Sequence, residues 1–125
     1  MRFSDLPNVH WLDSGELQLD APLVYTALSG VVFTVPEGFT TDLASVPSIV
    51  PGVIRILFRG PLQTAMAAIL HDYLYETGIV SRREADSLFY EALRATGEGR
   101  VGAFLMWSGV RLGGWYVWNK HGHAR

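Results

Sequence analysis

PLQTAMAAILHDYLYETGIVSRREADSLFYEALRA, residues 61 to 95, decides the fold. Within it Leu62, Ala65, Met66, Ile69, Leu70 and Tyr73 recur at i, i+3, i+4 and i+7, the spacing of one helical face. Pro61 suits a first helical turn, where a missing N–H costs nothing, and Gly78 suits the position past a helix end. Ser81-Arg82-Arg83-Glu84 has the form of a capping box: the hydroxyl accepts from a free backbone N–H, and the glutamate reaches back to the cap. Ala85, Leu88, Phe89 and Ala92 give the second helix its buried stripe. Only about four residues join the two helices, which favours an antiparallel pair.

Downstream, Thr96 to Gly99 breaks the helical pattern, and a third helix is expected from about Arg100 to Trp118. Residues 101 to 118 are mostly apolar. A membrane-spanning helix needs about 20 such residues. This run is slightly short and carries Arg111 near its middle, where a charge costs about 2.5–3.5 kcal/mol on insertion scales. A buried core helix is the expectation. Trp107, Trp115, Tyr116 and Trp118 read first as core packing, with Trp115 to Trp118 the part most expected to touch a partner or a membrane surface.

Upstream of Gly60 the reading is strands and turns. Glu16 to Asp20 alternates, with Leu17 and Leu19 on one side. Leu23 to Ala27 and Val31 to Val35, split by Leu28-Ser29-Gly30, form a hairpin. Pro36-Glu37-Gly38 is a turn. Thr40 to Pro51 reads as an ordered loop and Val53 to Phe58 as a short helix or strand. The expected fold class is α+β, in one domain over residues 1–125. A small N-terminal antiparallel β-sheet (1–59) packs on a C-terminal three-helix unit (60–120).

Composition narrows the function classes. Apolar residues at 49% and charged residues at 18% allow a sizeable core and argue against disorder. Ten basic residues scattered among twelve acidic ones make nucleic acid an unexpected partner. Arg82, Arg83, Arg94, Arg100 and Arg111 read mostly as a solvated face. The lack of cysteine excludes a disulfide scaffold and a thiolate metal site. Met1-Arg2-Phe3-Ser4-Asp5 lacks the apolar run of a signal peptide, so the chain is expected to stay in the cytoplasm or to leave it without a signal peptide.

The polar residues of the helix pair form the candidate site. His71 and Tyr75 are four apart and share a face. Asp86 lies at the edge of the second helix's stripe. His71 and Asp86 stand about equally far from the turn near residue 79, so they face each other across the pair. A carboxylate beside an imidazole fixes its tautomer, the arrangement of a His general base held by an orienting Asp. The same contact also serves as a buried polar clip, and spacing alone leaves both open. Asp72 is rotated about 100° around the helix, toward a cation or the Thr41-Asp42 loop. Asp42, Ser45 and Thr41 read as turn-forming residues before a proline rather than a nucleophile or metal loop, and no Gly-x-Ser-x-Gly surrounds Ser45. His121 and His123 read as a solvated tail rather than metal ligands.

Two resemblances sharpen these expectations. Phe33-Thr-Val-Pro36-Glu-Gly38-Phe39-Thr-Thr-Asp42-Leu-Ala-Ser45-Val-Pro47, then Leu70-His71-Asp72-Tyr-Leu-Tyr75 and Ser81-Arg-Arg-Glu-Ala85-Asp86-Ser-Leu-Phe89, resembles an uncharacterised family of bacteriophage and prophage proteins. This implies a phage origin, synthesis in the host cytoplasm and an alternative role as a non-catalytic virion component of tail, baseplate or neck. Its partners would then be other phage structural proteins or the host membrane and envelope. His71-Asp72-x-x-Tyr75 with Ala85-Asp86-x-x-Phe89 is similar to the helical core of the phospholipase A(2) superfamily. That likeness implies His71 as general base, Asp86 and Tyr75 as its orienting groups, and Asp72 with Asp42 as ligands of Ca²⁺. The glycine-rich calcium loop of those enzymes has no counterpart. The stretch from Thr40 to Pro47 stands in its place.

Overall fold

A computed structural model describes residues 2–3, 8–41 and 61–120, the side chains of 61–65 excepted. The N-terminal part consists of six short strands: β1 (Arg2–Phe3), β2 (Val9–Trp11), β3 (Leu17–Leu19), β4 (Leu23–Thr26), β5 (Val32–Val35) and β6 (Thr40–Thr41). Three helices follow: α1 (Pro61–Thr77), α2 (Arg82–Ala95) and α3 (Arg100–Lys120). The α+β class holds as expected.

The strands form two antiparallel sheets of three, β1-β4-β5 and β2-β3-β6, where the sequence suggested a single one. Alternation does its expected work in β3, where Leu17 and Leu19 are buried and Gln18 is half-buried between them. The β4–β5 hairpin turns on Leu28-Ser29-Gly30. Gly30 sits at φ 94°, a left-handed conformation that side chains resist, and Ala27 N–H donates to Val31 O at 2.9 Å to close the loop. Past the Pro36-Glu37-Gly38 turn, Thr40 and Thr41 pair with Gln18 and Leu17. They are therefore strand rather than loop, because β3 offers them an open edge that no local pattern reveals. The rest of the expected loop, the Val53–Phe58 segment, Asp42, Ser45, His121 and His123 lie outside the described residues.

The helical punctuation is local chemistry. Gly78 ends α1, its N–H donating to Leu74 O at 3.0 Å. Ser81 caps α2: its hydroxyl accepts from Glu84 N–H at 3.1 Å, and the Glu84 carboxylate accepts from Ser81 N–H at 3.2 Å. Ser81→Ala removes half of this reciprocal cap and should lower stability by about 1 kcal/mol, read as a shift in the urea midpoint at unchanged slope. A shift too small to measure would show that the Glu84 arm alone satisfies the helix end.

One core unites the sheets and helices. Tyr25, Val35, Leu70, Leu74, Phe89, Leu93, Met106 and Val110 are all fully buried in it. The α1 helix is buried around most of its circumference, with Ala67 to Asp72 and then Leu74 and Tyr75 all inside. His71 and Asp72 lie within this buried stretch, so each must find its partners inside the protein. The hairpin is tied to α2 by Glu91, whose carboxylate accepts from the Tyr25 hydroxyl and, at 3.0 Å, from Leu28 N–H. No helix among the described residues is long and apolar enough to cross a membrane.

Candidate functional site

His71 and Asp86 meet as their spacing suggests. His71 Nε2 lies 2.6 Å from Asp86 Oδ1, and both side chains are 0% exposed. Tyr75, one turn beyond His71, donates to the same Oδ1 at 2.7 Å. These contacts run in opposite order along the two helices, 71 to 86 and 75 to 82, which makes α1 and α2 antiparallel. The imidazole is sandwiched between rings, with the Tyr75 centroid at 4.3 Å and that of Phe89 at 4.7 Å.

The third helix completes the network. Arg111 Nη1 donates to Asp86 Oδ2 at 2.8 Å. Arg82 donates through Nε to the Tyr75 hydroxyl at 3.2 Å, and through Nη2 to the carbonyls of Val110 at 2.9 Å and Arg111 at 2.7 Å. Neither arginine belongs to a solvated face, as composition suggested. Both turn inward because Asp86 lies at the centre of the three-helix contact rather than at the edge of a stripe. A buried carboxylate needs a cation and hydrogen-bond donors to stay ionised. The sequence did carry a signal for Arg111, a lone charge in an apolar run, since such a residue is seldom buried unpaired.

The hydrogen-bond pattern fixes the chemistry of the ring. Asp86 can only accept, so Nε2 is the donor nitrogen and, in the neutral ring, Nδ1 carries the lone pair. Among the described residues Nδ1 has no hydrogen-bond partner although it is buried. Asp72 points to another side, where its carboxylate accepts from the Thr41 hydroxyl. Asp42 lies outside the described residues. Ca²⁺ takes about six to eight oxygen ligands. The Thr41 hydroxyl stands beside the Asp72 carboxylate as its hydrogen-bond donor. Among the described residues no three His, Asp or Glu side chains cluster as a metal centre.

Two close approaches support the dyad. Gly114 of α3 lies directly against the Tyr75 ring, so near that an added Cβ would fall 2.4 Å from the Tyr75 hydroxyl oxygen. Trp118, the last residue of the stretch from Trp115 expected to touch a partner or a membrane surface, packs edge-on against Tyr75 with centroids 5.2 Å apart. Trp115 and Tyr116 are exposed.

Burial raises the Tyr75 phenol well above its ordinary value, and its hydrogen bond to Asp86 adds to this. Tyr25 is raised in the same way, by burial first and then by Glu91. The folded chain therefore keeps two protons that the unfolded chain releases above about pH 10. Their stabilising contribution is complete below that pH and is lost as pH climbs beyond it. Alkaline titration followed by phenolate absorbance should show these two tyrosines ionising together with loss of near-ultraviolet circular dichroism. Tyr25→Phe and Tyr75→Phe should each remove one tyrosine from that step. Ionisation of either group with the fold intact would contradict its placement.

The chain belongs to a family described as proteins of unknown function, DUF1353, whose model matches residues 17–110. That span runs from β3 to the middle of α3 and includes His71, Tyr75, Arg82 and Asp86, and it ends one residue before Arg111. No curated protein and no solved structure matches the chain.

Proposed function

We propose that this is a bacteriophage-encoded hydrolase of phospholipase A(2)-like kind, acting on an ester of a lipid or of the cell envelope through a His71–Asp86 dyad. One observation carries the reading: Nε2 of His71 is fixed on a carboxylate while the lone pair of Nδ1 is left without a partner among the described residues. A buried polar atom left unpaired costs about 1–3 kcal/mol. A purely mechanical clip has no reason to bear that cost, whereas a general base requires it.

In this reading Nδ1 removes a proton from water as its oxygen attacks the ester carbonyl. The tetrahedral intermediate then expels the alcohol, which takes its proton from Nδ1–H, leaving a carboxylic acid product. Asp86 holds the ring and balances its transient positive charge. Tyr75 and Arg111 hold Asp86. Ca²⁺ bound at Asp72, with Asp42 and further oxygens outside the described residues, would supply positive charge for the carbonyl oxygen.

A second reading, a non-catalytic virion component, rests on an observation of its own. His71 and Asp86 are wholly screened from solvent, so a substrate reaches Nδ1 only if its cover moves. Acid release from phospholipid vesicles and from a simple aryl ester separates the two readings. Hydrolysis by the wild-type chain that falls to background in a folded His71→Gln variant supports the enzyme. No hydrolysis by the wild type, with or without millimolar calcium, leaves the structural role. A calorimetric titration that shows no calcium uptake would remove Asp72 and Asp42 as ligands.

A further inference from the structure

The α3 helix carries apolar side chains on both its inner and its outer side, and the described residues cover only the inner one. Gly102, Ala103, Met106, Gly109, Val110 and Gly114 face the core. The opposite arc, about 120° wide at about 100° per residue, holds Val101, Phe104, Leu112, Trp115 and Tyr116, which are 55–78% exposed. These five are half of the ten large hydrophobic side chains exposed among the described residues. A helix face with this many large apolar side chains is ordinarily covered, and among the described residues nothing covers this one.

The charge on the helix indicates what covers that face. Arg100, Arg111 and Lys120 are its only ionised side chains, and it has no acidic residue, in a chain of net charge −2. On the helical wheel Arg100 and Arg111 flank one edge of the apolar arc and Lys120 the other. Cations beside an apolar face, with Trp and Tyr toward one end, are the chemistry of a helix lying in the plane of an anionic membrane surface. A 21-residue helix offers about 30 Å of such contact.

We infer that the outer face of α3 docks on an anionic lipid bilayer surface, with Phe104, Leu112 and Trp115 entering the headgroup boundary and Arg100 and Lys120 pairing with lipid phosphates. The inner face of the same helix supplies Arg111 to Asp86 and Gly114 to Tyr75, so docking places the dyad beside the membrane. The inference does not require turnover and stands or falls apart from the hydrolase reading.

Co-sedimentation with phosphatidylglycerol-containing vesicles, against pure phosphatidylcholine vesicles, tests it. The wild-type chain should bind the anionic vesicles at least about tenfold better, with the excess falling as salt rises. Phe104→Ser/Leu112→Ser/Trp115→Ser should lose binding by about tenfold or more at an unchanged melting temperature, because these side chains are exposed. Arg100→Glu/Lys120→Glu should abolish the preference for anionic lipid. No binding by the wild type at millimolar lipid overturns the inference, as does equal binding by the triple variant. A wild-type chain that dimerises in light scattering while the triple variant is monomeric, with neither binding vesicles, would assign the face to a second copy of the chain instead.

Discussion

Asp86→Ala should lower stability by about 3–5 kcal/mol, the range for removing one partner of a buried ion pair. Asp86 is 0% exposed and accepts from three side chains, His71, Tyr75 and Arg111. Their fates differ once it is gone. Arg111 is 31% exposed and can turn toward water. His71 and Tyr75 are fully buried and cannot, so an N–H and an O–H are left in the core beside a new cavity. The melting temperature should fall by roughly 10–20 °C for a domain of this size. Arg111→Met should cost less than Asp86→Ala. The double variant should cost less than the sum, because the two residues share one contact. A loss below about 1 kcal/mol for Asp86→Ala would mean that water enters the site and takes over its hydrogen bonds.

The features legible in the sequence were those set by local chemistry. Pro61, Gly78 and the Ser81–Glu84 box each act within one turn of chain, so the bounds of α1 and the start of α2 followed directly. The His71–Asp86 contact was legible for a related reason. A four-residue link leaves two antiparallel helices little freedom of register, so equal distance from the turn becomes proximity. The strands were harder. Two or three residues, as in β1, β2 and β6, are too few to display a period, and their pairing depends on an edge supplied by a remote strand. The division into two sheets was hidden for the same reason.

The centre of the site was less legible than its members. Asp86 is polar and lies beside Ala85 and Phe89, so a helical wheel places it at a border. Its actual depth depends on α3 closing over it, and that closure comes from Arg111 and Gly114, distant in sequence, and from Arg82, which reaches across to the α3 carbonyls. The outer face of α3 was illegible in a different way. When a helix carries apolar side chains on opposite sides, periodicity cannot say which side the fold leaves open. Leu112 and Val110 read alike, yet one is 78% exposed and the other fully buried.

Gly114→Ala gives the most direct measure of how tightly α3 is set against the dyad. In a free helix the change should stabilise by nearly 1 kcal/mol, since Gly is the poorer helix former. Here the new methyl would stand 2.4 Å from the Tyr75 hydroxyl oxygen and 3.2 Å from Cζ. Tyr75 has nowhere to retreat. Its hydroxyl is held by Asp86 and Arg82, and its ring lies between His71 and Trp118. Either α3 lifts away, loosening Arg111 from Asp86, or the tyrosine gives up its bond. A net loss of about 1–3 kcal/mol is therefore expected, as for overpacking elsewhere, and esterase activity should fall with it if the dyad is catalytic. Tyr75→Phe removes the atom that is struck. In that background Gly114→Ala should cost at least about 1 kcal/mol less, because only the milder ring contacts remain, and the helix-propensity gain is then opposed by little. Equal cost in both backgrounds would show that the phenol oxygen is not what holds α3 at its distance, and that the glycine serves the close passage of the backbone itself.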